Sequence, residues 1–133
     1  MMRTITDLAH YDAISPTLAI LLPGAYDTPE DFLRHGFVAA VRERALAVDM
    51  VLADMNLECI TDGTALTLLQ TTIIDPARYA GYPNIILVGI YIGGFMAVMH
   101  ADRYPGAVNG LCMIAPYLGN RIITGEIADR FGR

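Results

Sequence analysis

The sequence predicts an α/β fold: a doubly wound, mostly parallel sheet of four strands with helices on both faces. Short apolar runs of strand length recur at residues 17–22, 48–53, 85–88 and 108–114, and the segments between them place apolar residues at helical spacing. Strands that alternate with helical crossovers form a parallel sheet covered on both sides, with right-handed connections. Composition agrees, because 54% of the 133 residues are hydrophobic and 17% charged, so most of the chain belongs inside a core. The length is that of one domain.

The first sixteen residues are mixed in character, and Ser15 beside Pro16 reads as turn chemistry. Residues 17–22 form a buried strand stopped by Pro23 and Gly24. Thr28, Pro29, Glu30 and Asp31 supply a cap, a first-turn proline and two acids, and Phe37, Val38, Val41 and Ala45 follow at helical spacing, so the first crossover is helical. Residues 48–53 make the second strand, interrupted by Asp49, and the polar stretch 54–63 is long enough to be a functional loop. Leu66, Leu69, Ile73 and Ala77 mark a second helix, with Pro76 as a boundary or kink. After Gly81-Tyr82-Pro83 comes the third strand, then a helix over 93–104 whose Met96 and Met99 fill the core. Residues 108–114 form the fourth strand, in which Cys112 is expected to behave as a small buried apolar residue.

Several function classes drop out. Nine arginines, no lysine and fourteen acids leave a net charge of −5, which repels a phosphate backbone, so no nucleic-acid partner is expected. Cys59 and Cys112 form no CxxC pair or zinc-type cluster, so neither a metal nor a disulfide framework is expected. Residues 84–101 carry no formal charge, but Gly89, Gly93 and Gly94 and the β-branched cluster at 85–88 fit strand, turn and helix better than a membrane span. Without a basic, apolar and small-residue leader pattern at the N-terminus, the expected location is the cytoplasm. Gly24-Ala25-Tyr26 lacks the lysine of a P-loop, and 89–94 does not match GxGxxG, so no nucleotide cofactor is expected.

In one common order for such sheets, the second strand lies outside the first and the third on its other side, which places the switch point between strands one and three. Residues 23–27 and 89–94 then converge on one crevice, with Asp27 and, past strand two, Asp54 as pocket-lining carboxylates. A sharp turn from a buried strand into a helix strains its apex and tolerates only small residues two positions to either side, a demand met by Gly89 and Gly93 around Tyr91. The helix start aims free N–H groups at the crevice, so the Ile92 amide is a candidate donor to a developing negative charge.

These segments, LLPGAYDTPEDF at 21–32 and NIILVGIYIGGFMAV with RYPGAVNGLCMIAPYLG within 84–119, resemble the α/β-hydrolase family, in particular its small bacterial esterase-like members. The resemblance implies a partial α/β-hydrolase fold, an oxyanion hole made by Ile92 with Ala25 or Tyr26, the glycines 89, 93 and 94 around the elbow, and Tyr91 at the nucleophile position. It implies a small ester or acyl ligand and no cofactor. The sequence departs from the family at two places. The G-x-S-x-G apex serine is tyrosine, whose phenol has a pKa of about 10 and is a poor nucleophile at neutral pH. No histidine follows His100 to act as base, and His10, His35 and His100 are read as structural or solvated.

Three readings follow: a hydrolase-family chain, truncated at its C-terminus and of low or no activity; a binding or regulatory module using the same crevice; or a flavodoxin-like enzyme moving a proton through Tyr91. An uncovered apolar edge at 108–114 is expected to pair with a second copy of the chain.

Overall fold

The computed structural model describes residues 2–24, 26–55 and 63–114. Its sheet has five strands: β1 (Thr4–Asp7), β2 (Thr17–Leu22), β3 (Val48–Ala53), β4 (Asn84–Ile90) and β5 (Gly110–Ile114). They lie in the order β1-β3-β2-β4-β5, with β1 antiparallel to β3 and every other pairing parallel. The predicted core order is therefore present, extended by an edge strand where no element was expected. β1 is short and mixes exposed and half-buried residues, so its composition carries no apolar run. Pairing with β3 makes it a strand.

β2 is buried on both faces, and its side chains divide between two cores. Leu18, Ile20 and Leu22 join Leu69, Ile74, Ile85, Leu87 and Met96 on one side. Ala19 and Leu21 join Phe32, Val38, Met50 and Leu52 on the other. Met96 and Met99 are both buried, as their helical spacing predicts.

The first crossover is two helices, α1 (Pro29–Arg34) and α2 (Phe37–Glu43). The break falls at Gly36, whose φ of +82° stops one helix and starts the next, a turn that the apolar spacing of 37–45 concealed. α1 is fixed at its start by a capping box in which the Thr28 N–H donates to Asp31 Oδ2 at 2.7 Å. The second crossover runs through α3 (Ala65–Leu69), a π-helical turn at Gln70–Ile74 and α4 (Asp75–Ala80). Pro76 has no N–H for an α-type bond and its ring crowds the carbonyl four residues back, and the wider π turn accommodates both. The third expected helix, α5, spans Ile92–Arg103. No helix among the described residues is long and apolar enough to cross a membrane.

β5 starts later than predicted, and Leu111, Cys112, Met113 and Ile114 are all exposed. Cys112 is thus a free, exposed thiol and not the buried residue expected, because β5 is the last strand of the sheet among the described residues. Most of the predicted loop, residues 56–62, and Cys59 with it, lies outside the described residues.

Ser15 also departs from expectation. It is buried, and with its neighbours it closes the amino end of the sheet around Asp49. The Asp49 carboxylate accepts bonds from Ala9 N at 2.9 Å, Ser15 N at 3.1 Å, Ser15 Oγ at 2.8 Å and Tyr82 Oη at 2.5 Å. Burial alone would push the Asp49 carboxyl up, but these donors outweigh it and hold the group below its ordinary range. Burial, and then the bond to Asp49, push the Tyr82 phenol up to about 12.

His100 is fully buried on α5, stacked on Tyr104, with Nε2 2.8 Å from Gln70 Oε1. Burial lowers its pKa, so the ring is neutral at physiological pH.

The Asp49 cluster gives stability a defined pH dependence. Its carboxyl is more acidic in the folded chain than in the unfolded one, so its contribution is full above the ordinary carboxylate pKa of about 4 and is lost as pH falls toward the lower native value. Tyr82 acts at the other limit: the unfolded phenol ionises at about 10, so its contribution falls as pH rises from there toward the native value. Urea melts across pH are expected to show both limbs. Asp49→Asn should cost about 1–3 kcal/mol at neutral pH and shallow the acid limb; an unchanged acid limb would contradict this account.

Candidate functional site

The carboxyl ends of β2 and β4 are adjacent, with Leu22 opposite Gly89, so the segments that follow them meet. After β4 the chain turns at Tyr91 and enters α5 at Ile92 without a loop. Tyr91 has φ +56° and ψ −116°, a region that a bulky residue adopts only when its surroundings force it. The Tyr91 N–H donates to Ile114 O at 3.0 Å, and the Tyr91 carbonyl accepts from Gly94 N at 3.0 Å, which holds the peptide on either side of the apex.

Two glycines permit this turn for separate reasons. A Cβ on Gly89 would collide with the backbone of Gly93 and Gly94, and a Cβ on Gly93 would collide with the carbonyls of Leu22 and Pro23. Strand and helix backbones are therefore in direct contact. Gly94 is buried within the first turn of α5. Ile92, the first helical residue, has no intrahelical acceptor for its N–H.

On the other side of the crevice, Asp27 N donates to Gly24 O at 3.1 Å and closes a turn. The space above Gly24 is shared: a Cβ there would lie 2.7 Å from Asp27 Oδ2 and 3.9 Å from Tyr91 Cβ. The structure thus brings Asp27 and Tyr91 together at one glycine. Tyr26 is 87% exposed and Tyr91 is 49% exposed. Ala25 lies outside the described residues.

Beside this turn is a cleft of about 230 Å³, lined by Gly24, Asp27, Phe32, Phe37, Ile90 and Ile114 among others. Neither Tyr26 nor Tyr91 lines it; its aromatic wall is the edge-to-face pair of Phe32 and Phe37, with centroids 5.4 Å apart. His35, at the end of α1, also lines it. The sequence signal for these residues was the glycine at 36, which turns the chain so that Phe32 and Phe37 face one another; the helical periodicity masked it.

Asp54 is not among the lining residues, and Arg3 engages it. Arg3 Nε donates to Asp54 Oδ2 at 3.2 Å, and its two terminal nitrogens bond Glu30 at 2.7 and 2.9 Å. The bond from Arg3 lowers the Glu30 pKa to about 2. This exposed network ties the residue before β1 to the end of β3 and the start of α1, and so braces the cleft wall from outside.

No family model and no curated protein matches this chain. Solved structures do match in fold. A predicted CIB-like hydrolase from Thermoplasma acidophilum aligns at 20% identity and a TM-score of 0.61, over 87% of this chain and 58% of that one. Est1E from Butyrivibrio proteoclasticus aligns at 19% and 0.70, over 86% and 46%. The Paleococcus ferrophilus monoacylglycerol lipase aligns at 13% and 0.65, over 100% and 51%. The chain spans about half the length of these structures.

Because the glycine contacts are backbone on backbone, no side chain can yield to relieve them. Gly93→Ala is expected to lower stability by about 3 kcal/mol or to prevent folding, whereas Gly63→Ala, at a site with open space, should cost only its positive-φ penalty of about 1 kcal/mol. Equal losses in chemical denaturation would argue against the close contact. At these identities the likeness establishes architecture alone: the described residues share the mostly parallel α/β fold of these structures.

Proposed function

We propose that this chain is related to carboxylic-ester hydrolases by fold and is inactive or nearly inactive toward esters. The observation that carries this reading is Tyr91, which holds a strained apex backbone while presenting a phenol. The turn corresponds to the nucleophile elbow of the resembling family, with Ile92 and either Ala25 or Tyr26 as the amides of an oxyanion hole. Those donors lack an attacking oxygen suited to acyl transfer at neutral pH. The sole serine, Ser15, is committed to Asp49 at the opposite end of the sheet.

A second reading is favoured by the cleft: the crevice holds a small ligand without turning it over. Its size is below the roughly 300–1,000 Å³ of sites for drug-sized molecules, and Phe32, Phe37, Ile90 and Ile114 offer an apolar bed. Self-association belongs to the same proposal, because Leu111, Met113 and Ile114 on β5 are each at least 40% exposed and suit a second copy of the chain.

Turnover of short-chain p-nitrophenyl esters should stay at background for the natural chain, for Tyr91→Ser and for Tyr91→Phe, with all three folded. Activity in the natural chain that vanishes in Tyr91→Phe would instead establish proton transfer or nucleophilic attack by the phenol. Light scattering on the same samples is expected to give a dimer, and a stable monomer would remove β5 as a self-association edge.

A further inference from the structure

The carboxylates near the crevice differ in how they are neutralised. Asp54 and Glu30 share Arg3, and Asp31 is held by the Thr28 N–H and an ion pair with Arg34. Among the described residues, nothing donates a hydrogen bond or an ion pair to the Asp27 carboxylate. Among the described residues no arginine lines the cleft, and the sequence contains no lysine. Asp27 Oδ2 lies over Gly24, on the side of the Tyr91 apex, and Asp27 lines the cleft.

A carboxylate in that position opposes a developing oxyanion and attracts a cation. Phe37, set edge-to-face against the buried Phe32, supplies apolar contact beside it. We infer that the cleft binds a small organic cation, a protonated amine on a compact apolar body, with the ammonium on Asp27 and the body against Phe32 and Phe37. This inference rests on the ligand-holding reading above and adds its chemical class.

Three probes of one shape separate the two ideas: 2-phenylethylamine, 2-phenylethanol and phenylacetate, each titrated into the chain at neutral pH and low salt and followed by amide chemical shifts. The amine is expected to bind tightest and phenylacetate weakest, with shifts centred on Gly24, Phe32 and Phe37. Asp27→Asn, at an exposed turn position where the amide fits, should weaken the amine about fivefold, the worth of a partly exposed ion pair, and leave the alcohol unchanged. Its melting temperature reports that the fold is kept. Equal binding of amine and alcohol, with no effect of Asp27→Asn, would overturn the cation preference and leave the ligand-holding reading standing. Tighter binding of phenylacetate would reverse the sign of the site. Failure of all three probes to bind, or shifts confined to the amino end of the sheet, would overturn both.

Discussion

The contact that the crevice depends on is the approach of the α5 backbone to the ends of β2 and β4. At Gly93 the helix lies on the carbonyls of Leu22 and Pro23, and at Gly89 the strand lies under Gly93 and Gly94. That proximity leaves no room for a loop between β4 and α5, so one residue must reverse the chain and accept a positive φ. It also sets the start of α5 against Leu22 and Pro23, where the turn after β2 begins. Tyr91, Ile92, Gly24 and Asp27 therefore converge as a consequence of two glycines.

The opposite end of the sheet is organised by polar groups. Asp49 receives four donors from three separate segments. Arg78 donates to Tyr82 O, Pro83 O, Ala107 O and Asn109 Oδ1, joining α4 to the entries of β4 and β5. Asn109 Oδ1 also accepts from Ile85 N at 2.9 Å. Buried groups satisfied as Asp49 and Ser15 are resist rearrangement, since loss of one partner strands the others. The two ends of the sheet thus divide the work: one is closed by hydrogen bonds and the other is left concave, with a carboxylate that no described residue pairs.

Much of this was legible in the sequence because the parallel strands are buried on both faces and read as continuous apolar runs. The helix after Tyr91 and the need for glycine at 89 and 93 follow from local composition, and the strand order is a common one for such sheets. What was hidden depends on partners remote in sequence. β1 is a strand by pairing with β3, and Ser15 is buried because Asp49, 34 residues away, accepts its bonds. Cys112 is exposed because β5 ends the sheet among the described residues, a fact of topology that its apolar neighbours do not report. Gly36 was visible as a residue but not as a break, since the helix start at 28–31 before it and the helical spacing of Phe37, Val38 and Val41 after it read as one helical crossover. Phe37 was accordingly read as a helix position, and its meeting with Phe32 in the cleft wall was lost with the break.

The persistence of strain at Tyr91 bears on what the strain is for. A positive φ at a bulky residue costs on the order of 1–3 kcal/mol and is usually read as a device that serves catalysis. Here the apex carries a phenol and the strain remains. Its source is therefore the packing: with Gly89 and Gly93 in contact with neighbouring backbone, the turn has no relaxed alternative, whichever side chain stands at its apex. A fold of this kind presents an exposed residue at the switch point before any chemistry is chosen. What the crevice then does is decided by the groups around it, and the charge of Asp27 and the rings of Phe32 and Phe37 select for a different occupant than a serine and a base would.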